Sequence, residues 1–220
     1  MTPAGDALTA AADALGWRLA DAQRDSLLAY MDWLGKWNKV YNLTALRNPE
    51  EMLSHHLIDS LTAVAPLQKH LEVVGLGGGA QMLDVGSGGG LPGVVLAICL
   101  PHVQVTCVDT VAKKAAFIQQ MAASLRLPNL RGVHARVENL SGPFDVITSR
   151  AFASLVDFTQ WSCKALAPGG VWMAMKGKHP EAELVELSVK APEVDVFHVE
   201  PLTVPGLDAE RCLVWMRAKG

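Results

Sequence analysis

A glycine-rich loop between an acidic strand end and an apolar helix is the stretch of this sequence best suited to chemistry. Asp84 lies near the end of the apolar run 82–85, the loop 86–93 has the sequence GSGGGLPG, and the apolar run 94–100 predicts a helix. In this arrangement, backbone N–H groups and the helix N-terminus cradle a nucleotide-like ligand. Glycine is needed because a Cβ atom would block close approach of the ligand and disfavour positive φ angles.

Polar residues that follow the next predicted strands would face the same ligand. Asp109 ends the second strand, where its carboxylate can accept hydrogen bonds from both ribose hydroxyls of an adenosyl group; alternatively it caps the next helix. Val137 and Glu138 lie in the loop after the third strand. Adenine could stack and form hydrogen bonds there, although an ordinary exposed turn explains these two residues equally well.

Basic residues follow the third, fourth and fifth predicted strands. Arg150 offers a rigid fork of five donors, and with Arg136 and Lys176 it could form a basic rim at the mouth of the crevice. We predict that these three residues bind the substrate. The alternatives are a salt-bridged surface arginine and lysines that are simply solvated.

The first 80 residues predict helices. One apolar stripe recurs at three- and four-residue spacing and comprises Leu27, Tyr30, Met31, Leu34, Trp37 and Tyr41. A shorter helix precedes it and ends at Gly16, and Asn48 would cap a further helix that begins at Pro49. The glycine joint 75–79 is the predicted boundary between an N-terminal helical region, residues 1–80, and a second domain, residues 81–220.

From residue 81 onward, predicted strands and helices alternate. The strands are Gln81–Val85, Val103–Val108, Arg131–Ala135, Asp145–Thr148, Val171–Lys176, Val194–Val199 and Cys212–Arg217, and helices are predicted over 113–125 and 152–167. This alternation indicates an α/β fold with a mostly parallel seven-stranded sheet and helices on both faces. Only a loop separates the last two strands, so we expect them to form an antiparallel hairpin.

Composition excludes several classes of protein. The chain has 220 residues, 50% of them hydrophobic, a net charge of −3 and no apolar run of 18 residues. These features predict one substantial core without a membrane span, and no signal peptide is evident, so we expect a cytoplasmic protein. The four scattered cysteines predict buried free thiols, and no spacing typical of a metal site occurs. Any contact with RNA would require a local basic face.

The glycine loop fits two ligand-binding motifs. Gly88–Gly93 satisfies G-x-G-x-x-G, which would indicate a dinucleotide dehydrogenase. The other register, an acid followed by Val-Gly-x-Gly-x-Gly, resembles motif I of the class I S-adenosylmethionine-dependent methyltransferases. Asp84 favours the second register because a carboxylate suits a cationic sulfonium and ammonium better than a pyrophosphate. The closing antiparallel hairpin is also typical of that Rossmann-like fold, whereas a tight turn without any ligand is the remaining alternative.

Five segments, in order, resemble the RsmG family, also called GidB. They are residues 37–45 (WNKVYNLTA), 56–61 (HLIDSL), 84–93 (DVGSGGGLPG), 149–154 (SRAFAS) and 175–177 (MKG). The resemblance implies a bacterial enzyme that transfers a methyl group from S-adenosylmethionine to N7 of a guanine in the 530 loop of 16S ribosomal RNA. At the matching motif positions, the resemblance implies cofactor contacts in the glycine loop, at Gly86, Gly88 and Leu91. It also implies contacts at Val137, Glu138 and Arg150.

This resemblance sets the remaining expectations. Guanine N7 already carries a lone pair, so we expect no catalytic base; we also expect no metal, a monomer, and 16S ribosomal RNA or the small ribosomal subunit as partner. Three other functions stay open at this point: a small-molecule S-adenosylmethionine methyltransferase, an NAD-dependent oxidoreductase and a non-catalytic RNA-binding module.

Overall fold

The structure, a computed structural model, describes residues 2–220, and within them seven strands form one sheet. The strands are β1 (Ala80–Val85), β2 (Val103–Asp109), β3 (Leu130–His134), β4 (Phe144–Arg150), β5 (Leu166–Lys176), β6 (Val194–Leu202) and β7 (Arg211–Ala218). Their spatial order is β3-β2-β1-β4-β5-β7-β6. The first five strands pair in parallel, whereas β7 is antiparallel to both of its neighbours. The predicted α/β sheet is therefore confirmed.

Helices cover both faces of this sheet. They are α1 (Pro3–Ala14), α2 (Asp21–Tyr41), α3 (Pro49–Met52), α4 (Asp59–Leu61), α5 (Val64–Val73), α6 (Gly93–Cys99), α7 (Ala112–Ser124), α8 (Leu155–Ser162) and α9 (Glu181–Lys190). A π-helical segment, Leu53–Ile58, joins α3 to α4. Among residues 2–220, none of these helices combines the length and the hydrophobicity that a membrane crossing requires.

Strand periodicity divides the core between the two faces of the sheet. Met82 in β1 is buried on the face covered by α2, α6 and α7, and Leu83 beside it is buried on the opposite face. Successive strand side chains point to opposite faces, so a strand that is covered on both sides is apolar along most of its length. Leu27 and Tyr30 of α2 belong to the first core. The N-terminal helices therefore pack on the sheet itself, while the boundary at residue 80 stays a prediction.

The predicted helix start at Asn48 is confirmed. The Asn48 side chain accepts a hydrogen bond from the backbone N–H of Glu50 at 2.9 Å, and Pro49 occupies the first helical position. Such a cap satisfies a donor that a helix start otherwise leaves unpaired, and proline loses nothing there because the first turn needs no N–H partner.

Several predicted features differ from the structure. The helix expected over 152–167 spans only Leu155–Ser162, because the Ser154 hydroxyl caps it by accepting from the N–H of Asp157 at 3.1 Å. The last residues of the predicted helix instead begin β5, where Leu166 pairs with Phe144. Two side chains expected in the core, Tyr41 and Cys163, are exposed.

Candidate active site

Two cavities meet at the carboxyl edge of the parallel strands, and both are lined by Gly86 and Ala151. The larger cavity, about 530 Å³, lies between the loop after α2, the π-helical segment and the ends of β4 and β5. The smaller cavity, about 330 Å³, lies between the ends of β2 and β3, the segment Ala151–Phe152 after β4, and Trp161 near the end of α8. Open α/β sheets bind their ligands at this edge, so the two cavities together form the candidate site.

The glycine loop is held in place by the protein on several sides. The N–H of Gly86 donates to the carbonyl of Val108 at 3.0 Å, and the N–H of Gly88 donates to Asp109 Oδ2 at 3.0 Å. From α2, the Tyr30 hydroxyl donates to the Gly89 carbonyl at 2.6 Å. The expectation that these N–H groups are free to cradle a ligand therefore fails at Gly86 and Gly88. What the loop offers instead is space, because it carries few side chains.

Packing also requires glycine at several positions of the loop, among them Gly86 and Gly89. Gly86 has a φ of 65°, and a Cβ atom built there would collide with the Phe152 ring. A Cβ on Gly89 would lie 2.8 Å from Leu34 Cδ1, so α2 packs directly on the loop. The Phe152 ring lines the smaller cavity and makes an edge contact with Trp161, with ring centroids 6.0 Å apart.

Asp84 lies beneath the loop rather than in either cavity. It is fully buried, and its Oδ2 accepts from the N–H of Gly93 at 2.8 Å, while Oδ1 has no hydrogen-bond partner among residues 2–220. Burial raises the pKa of Asp84 to about 7, and the Gly93 N–H opposes that shift. Alternation along β1 puts Asp84 on the same face as Met82, under α6. The expectation that its carboxylate faces a cationic ligand does not match this placement.

Four of the residues predicted to contact the adenosyl group or the substrate meet at the smaller cavity. Asp109, Arg136, Val137 and Glu138 all line it. Asp109 accepts from the N–H of Val111 at 2.8 Å through Oδ1, in addition to its bond with the loop. The N-cap residue of α7 is Val111, so Asp109 does not itself cap the helix; it binds the N–H of that residue and lines the cavity.

A buried carboxylate connects two arginines at the larger cavity. Asp59 Oδ2 accepts from Arg150 Nη1 at 2.7 Å, and its Oδ1 accepts from Arg211 Nε at 2.7 Å. The Asp59 side chain is 5% exposed, against 17% for Arg150 and 23% for Arg211. Arg150 Nη1 also donates to the His55 carbonyl at 2.9 Å. Sequence reasoning missed Asp59 and Arg211, although Asp59 lies inside one of the family-like segments.

The three predicted substrate-binding cations do not form one rim. Arg150 and Lys176 line the larger cavity, whereas Arg136 lines the smaller one, where it is exposed and lies 3.4 Å from a Glu138 oxygen. Lys176 Nζ is bound by Glu183 at 2.7 Å. All three positive charges at the larger cavity, on Arg150, Lys176 and Arg211, are therefore partly neutralised by buried or half-buried carboxylates.

His56 and Thr44 complete the wall of the larger cavity. The Thr44 hydroxyl lies 2.6 Å from His56 Nε2, and His56 Nδ1 lies 3.5 Å from Arg150 Nη2. The pKa of His56 is lowered to about 4, chiefly by burial and also by the positive charge of Arg150, while the His55 carbonyl and Asp59 act in the opposite direction. His56 is therefore neutral at pH 7.

The cavities fit an adenosyl ligand. The smaller cavity offers Asp109 for ribose hydroxyls, and it borders the larger cavity at Gly86 and Ala151. No group of three histidine, cysteine, aspartate or glutamate side chains within residues 2–220 could hold a metal ion. Fold and site together define an S-adenosylmethionine-dependent methyltransferase of the Rossmann-like class.

Solved structures share this fold at low sequence identity. A SAM-dependent methyltransferase from Aquifex aeolicus superimposes with a TM-score of 0.56 and 17% identity, covering 80% of this chain and 96% of that one. TrmN from Thermus thermophilus gives a TM-score of 0.56 and 18% identity, covering 76% of this chain and 53% of that one.

Sequence comparison identifies the family. The GidB family model, described as rRNA small subunit methyltransferase G, matches residues 23–214. A ribosomal RNA small subunit methyltransferase G from Acidovorax ebreus is 64% identical, covering 96% of this chain and 94% of the relative, and one from Leptothrix cholodnii is 58% identical, covering 100% and 98%. The chain belongs to the rRNA small subunit methyltransferase G family. Its cofactor is S-adenosylmethionine, which favours the acidic motif over the dinucleotide register.

Proposed function

We propose that this protein transfers the methyl group of S-adenosylmethionine to N7 of a guanine in the 530 loop of 16S ribosomal RNA, acting in the cytoplasm as a monomer. The family and its relatives support methylation of small-subunit ribosomal RNA. The finer assignment, to guanine N7, is supported by the chemistry of the residues around the larger cavity.

The observation that carries this proposal is that Asp59 and His56, on the wall of the larger cavity, are poorly suited to take up a proton, while the other histidine of the wall, His55, is bonded to the Ser54 hydroxyl through Nδ1 at 2.8 Å. Within the described chain, Asp59 is the carboxylate among its lining residues, and both of its oxygens are bound to arginines. His56 has a pKa of about 4, so it is a weak base. Methylation of an exocyclic amine or a hydroxyl releases a proton from the attacking atom, whereas guanine N7 attacks through a lone pair that carries no proton.

The residues around the cavities would act by binding and orienting. When bound, S-adenosylmethionine supplies an electrophilic methyl group on a positively charged sulfur. Asp109, Val137 and Glu138 would hold the adenosyl part in the smaller cavity, with Gly86 and Leu91 leaving room beside the loop. Arg150 and Lys176 would contact the nucleotide or the cofactor at the larger cavity, while Arg136 would contact nearby RNA phosphate. Proximity and alignment of the two reactants would then provide most of the acceleration.

The test uses small ribosomal subunits that lack the modification, purified protein and labelled S-adenosylmethionine. Borohydride reduction followed by aniline cleaves RNA at N7-methylguanine, so it reports both the base and the atom. We expect one cleavage site, in the 530 loop. Label on another base, on another atom of the guanine, or only in small molecules would overturn the proposal.

Two arginine variants separate the site from the rest of the surface. Arg150→Ala removes a cation from the larger cavity, and we expect methyl transfer to fall at least tenfold, since loss of a charged hydrogen bond costs about 1.5–3 kcal/mol. Arg217→Ala is the matched control because Arg217 is exposed on β7 and pairs with Asp195. Equal activity of the two variants would exclude Arg150 from the reaction.

A further inference from the structure

The hydroxyl of Thr44 occupies a fixed position on the wall of the larger cavity. Its backbone N–H donates to Asn38 Oδ1 at 2.9 Å, and Asn38 Nδ2 donates to the Leu46 carbonyl at 2.8 Å. Asn38 is 4% exposed and belongs to α2. The loop that follows α2 is thus tied to a buried amide, which fixes where the Thr44 side chain begins.

The proton on His56 can be assigned from its neighbours. Arginine has donors and no acceptor, so the ring nitrogen that faces Arg150 Nη2, Nδ1, accepts. Arg150 Nη1 donates to the His55 carbonyl at 2.9 Å, and the side-chain contacts of the His56 ring are to Thr44 through Nε2 and to Arg150 through Nδ1. Because neutral histidine carries one proton, that proton lies on Nε2, which donates to the Thr44 hydroxyl oxygen at 2.6 Å. Arg150 therefore sets the tautomer of His56.

With this tautomer of His56, the Thr44 hydroxyl can form only one more hydrogen bond, and it forms that bond as a donor. Its oxygen accepts from His56 and also from the N–H of Leu46 at 3.2 Å. A hydroxyl has two acceptor sites and one hydrogen to donate, so both acceptor sites are occupied. The remaining O–H bond can only donate, and Thr44 is one of the residues that line the larger cavity.

A donor at this place distinguishes the two purines. Beside N7, guanine carries the acceptor O6, whereas adenine carries the donor N6 amino group at the same position. We propose that the Thr44 hydroxyl donates to O6 of the target guanine and is the residue that selects guanine over adenine, an inference that rests on the proposed function. Adenine would bring two donors face to face and leave both without a partner, and polar sites of this kind reject the wrong substrate strongly.

The first experiment compares Thr44→Val with Thr44→Ser on unmodified small subunits. Valine keeps the shape but removes the hydroxyl, and we expect kcat/KM for the RNA to fall about 10-fold to 100-fold. Serine keeps the hydroxyl and should restore most of the rate. Calorimetry with S-adenosylmethionine should give the same Kd for wild type and Thr44→Val. A weaker cofactor affinity that accounts for the whole loss would overturn the inference.

The second experiment changes the substrate, so it does not depend on how a variant folds. Subunits reconstituted with 2-aminopurine at the target position keep N7 but lack O6. We expect wild-type enzyme to lose about the same factor on this substrate, whereas Thr44→Val, which already lacks the contact, should lose little or nothing further when O6 is removed. Additive losses, or full guanine selectivity in Thr44→Val, would overturn the inference while leaving the proposed function intact.

Two further results separate the failure modes. If wild-type enzyme forms no N7-methylguanine on unmodified subunits, the proposed function fails and Thr44 has no O6 to bind. If ¹⁵N spectra of the wild-type protein show the His56 proton on Nδ1, the tautomer assignment fails and Thr44 has an acceptor site left, so the inference is overturned. The proton on Nε2 is the expected result.

Discussion

Removing the Asp59 carboxylate should destabilise the protein more than removing any exposed acid. Asp59 accepts from Arg150 and Arg211 at 2.7 Å each, and its side chain is 5% exposed. It joins the helical segment at α4 to the end of β4 and the start of β7. Asp59→Ala would leave two half-buried guanidinium groups without their shared partner.

The magnitude follows from the burial of this ion-pair cluster. Breaking a buried pair by removing one partner costs about 3–5 kcal/mol, because the remaining charge stays desolvated. In a chain of this length each kcal/mol lowers Tm by roughly 2–4 °C, so Asp59→Ala should lower Tm by about 6–20 °C. Asp59→Asn keeps the shape but turns one oxygen into a donor that faces an arginine, so most of the loss should persist.

The assay is thermal and urea unfolding of three variants under one buffer. The matched control is Asp195→Ala, since Asp195 pairs with Arg217 at 2.9 Å on the surface, with 58% of the arginine side chain exposed. Exposed pairs contribute about 0–1 kcal/mol, so the control should stay close to wild type. If Asp59→Ala loses no more stability than Asp195→Ala, the cluster does not hold the helical segment to the sheet.

Two further predictions concern the loop and the histidine. Gly86→Ala should unfold at a lower urea concentration than Gly88→Ala, because both glycines have positive φ but only a Cβ on Gly86 meets the Phe152 ring. Adding Phe152→Ala to Gly86→Ala should recover part of the lost stability. Equal denaturation midpoints for the two glycine variants, or purely additive losses in the double variant, would contradict this reasoning. Because the pKa of His56 falls to about 4 in the folded protein from 6.5, the stability that it contributes is complete above pH 6.5 and is lost as the pH falls to 4. In urea unfolding at several pH values, His56→Gln should therefore lack this loss, whereas the exposed control His179→Gln should retain it. If the free energy of unfolding falls with pH equally in wild type and His56→Gln, the lowered pKa of His56 is not the cause.

The order of the elements could be predicted from the sequence because local patterns determine it. Alternating apolar strands and helices place six of the seven strands within three residues of their observed bounds, whereas β5 begins five residues earlier than predicted; the Asn48 cap follows from one residue type beside a proline. The helix expected from residue 152 was wrong at its start, because Ser154 caps it and Ala151 and Ala153 have positive φ angles.

The site was harder to predict because its ion pairs join residues that are far apart in the sequence. Arg211 and Asp59 are separated by 152 residues, and Arg150 and Asp59 by 91, so no periodicity reveals either bond. Asp84 shows a different limit, since its place at a strand end suggested a ligand contact. Counting alternate residues from Met82 already puts its side chain on the helix-covered face, and that count would have indicated a buried carboxyl.

The packing of α2 against the glycine loop limits how the protein can be re-engineered. Tyr30 binds the Gly89 carbonyl and Leu34 packs against Gly89, so the first eighty residues help to hold the glycine loop that lines the larger cavity. A chimaera that exchanges those helices for another recognition module would inherit a loop whose supporting side chains no longer match. Such a chimaera should therefore fold only when Tyr30, Leu34 and Gly89, or a matched set of replacements, are kept together.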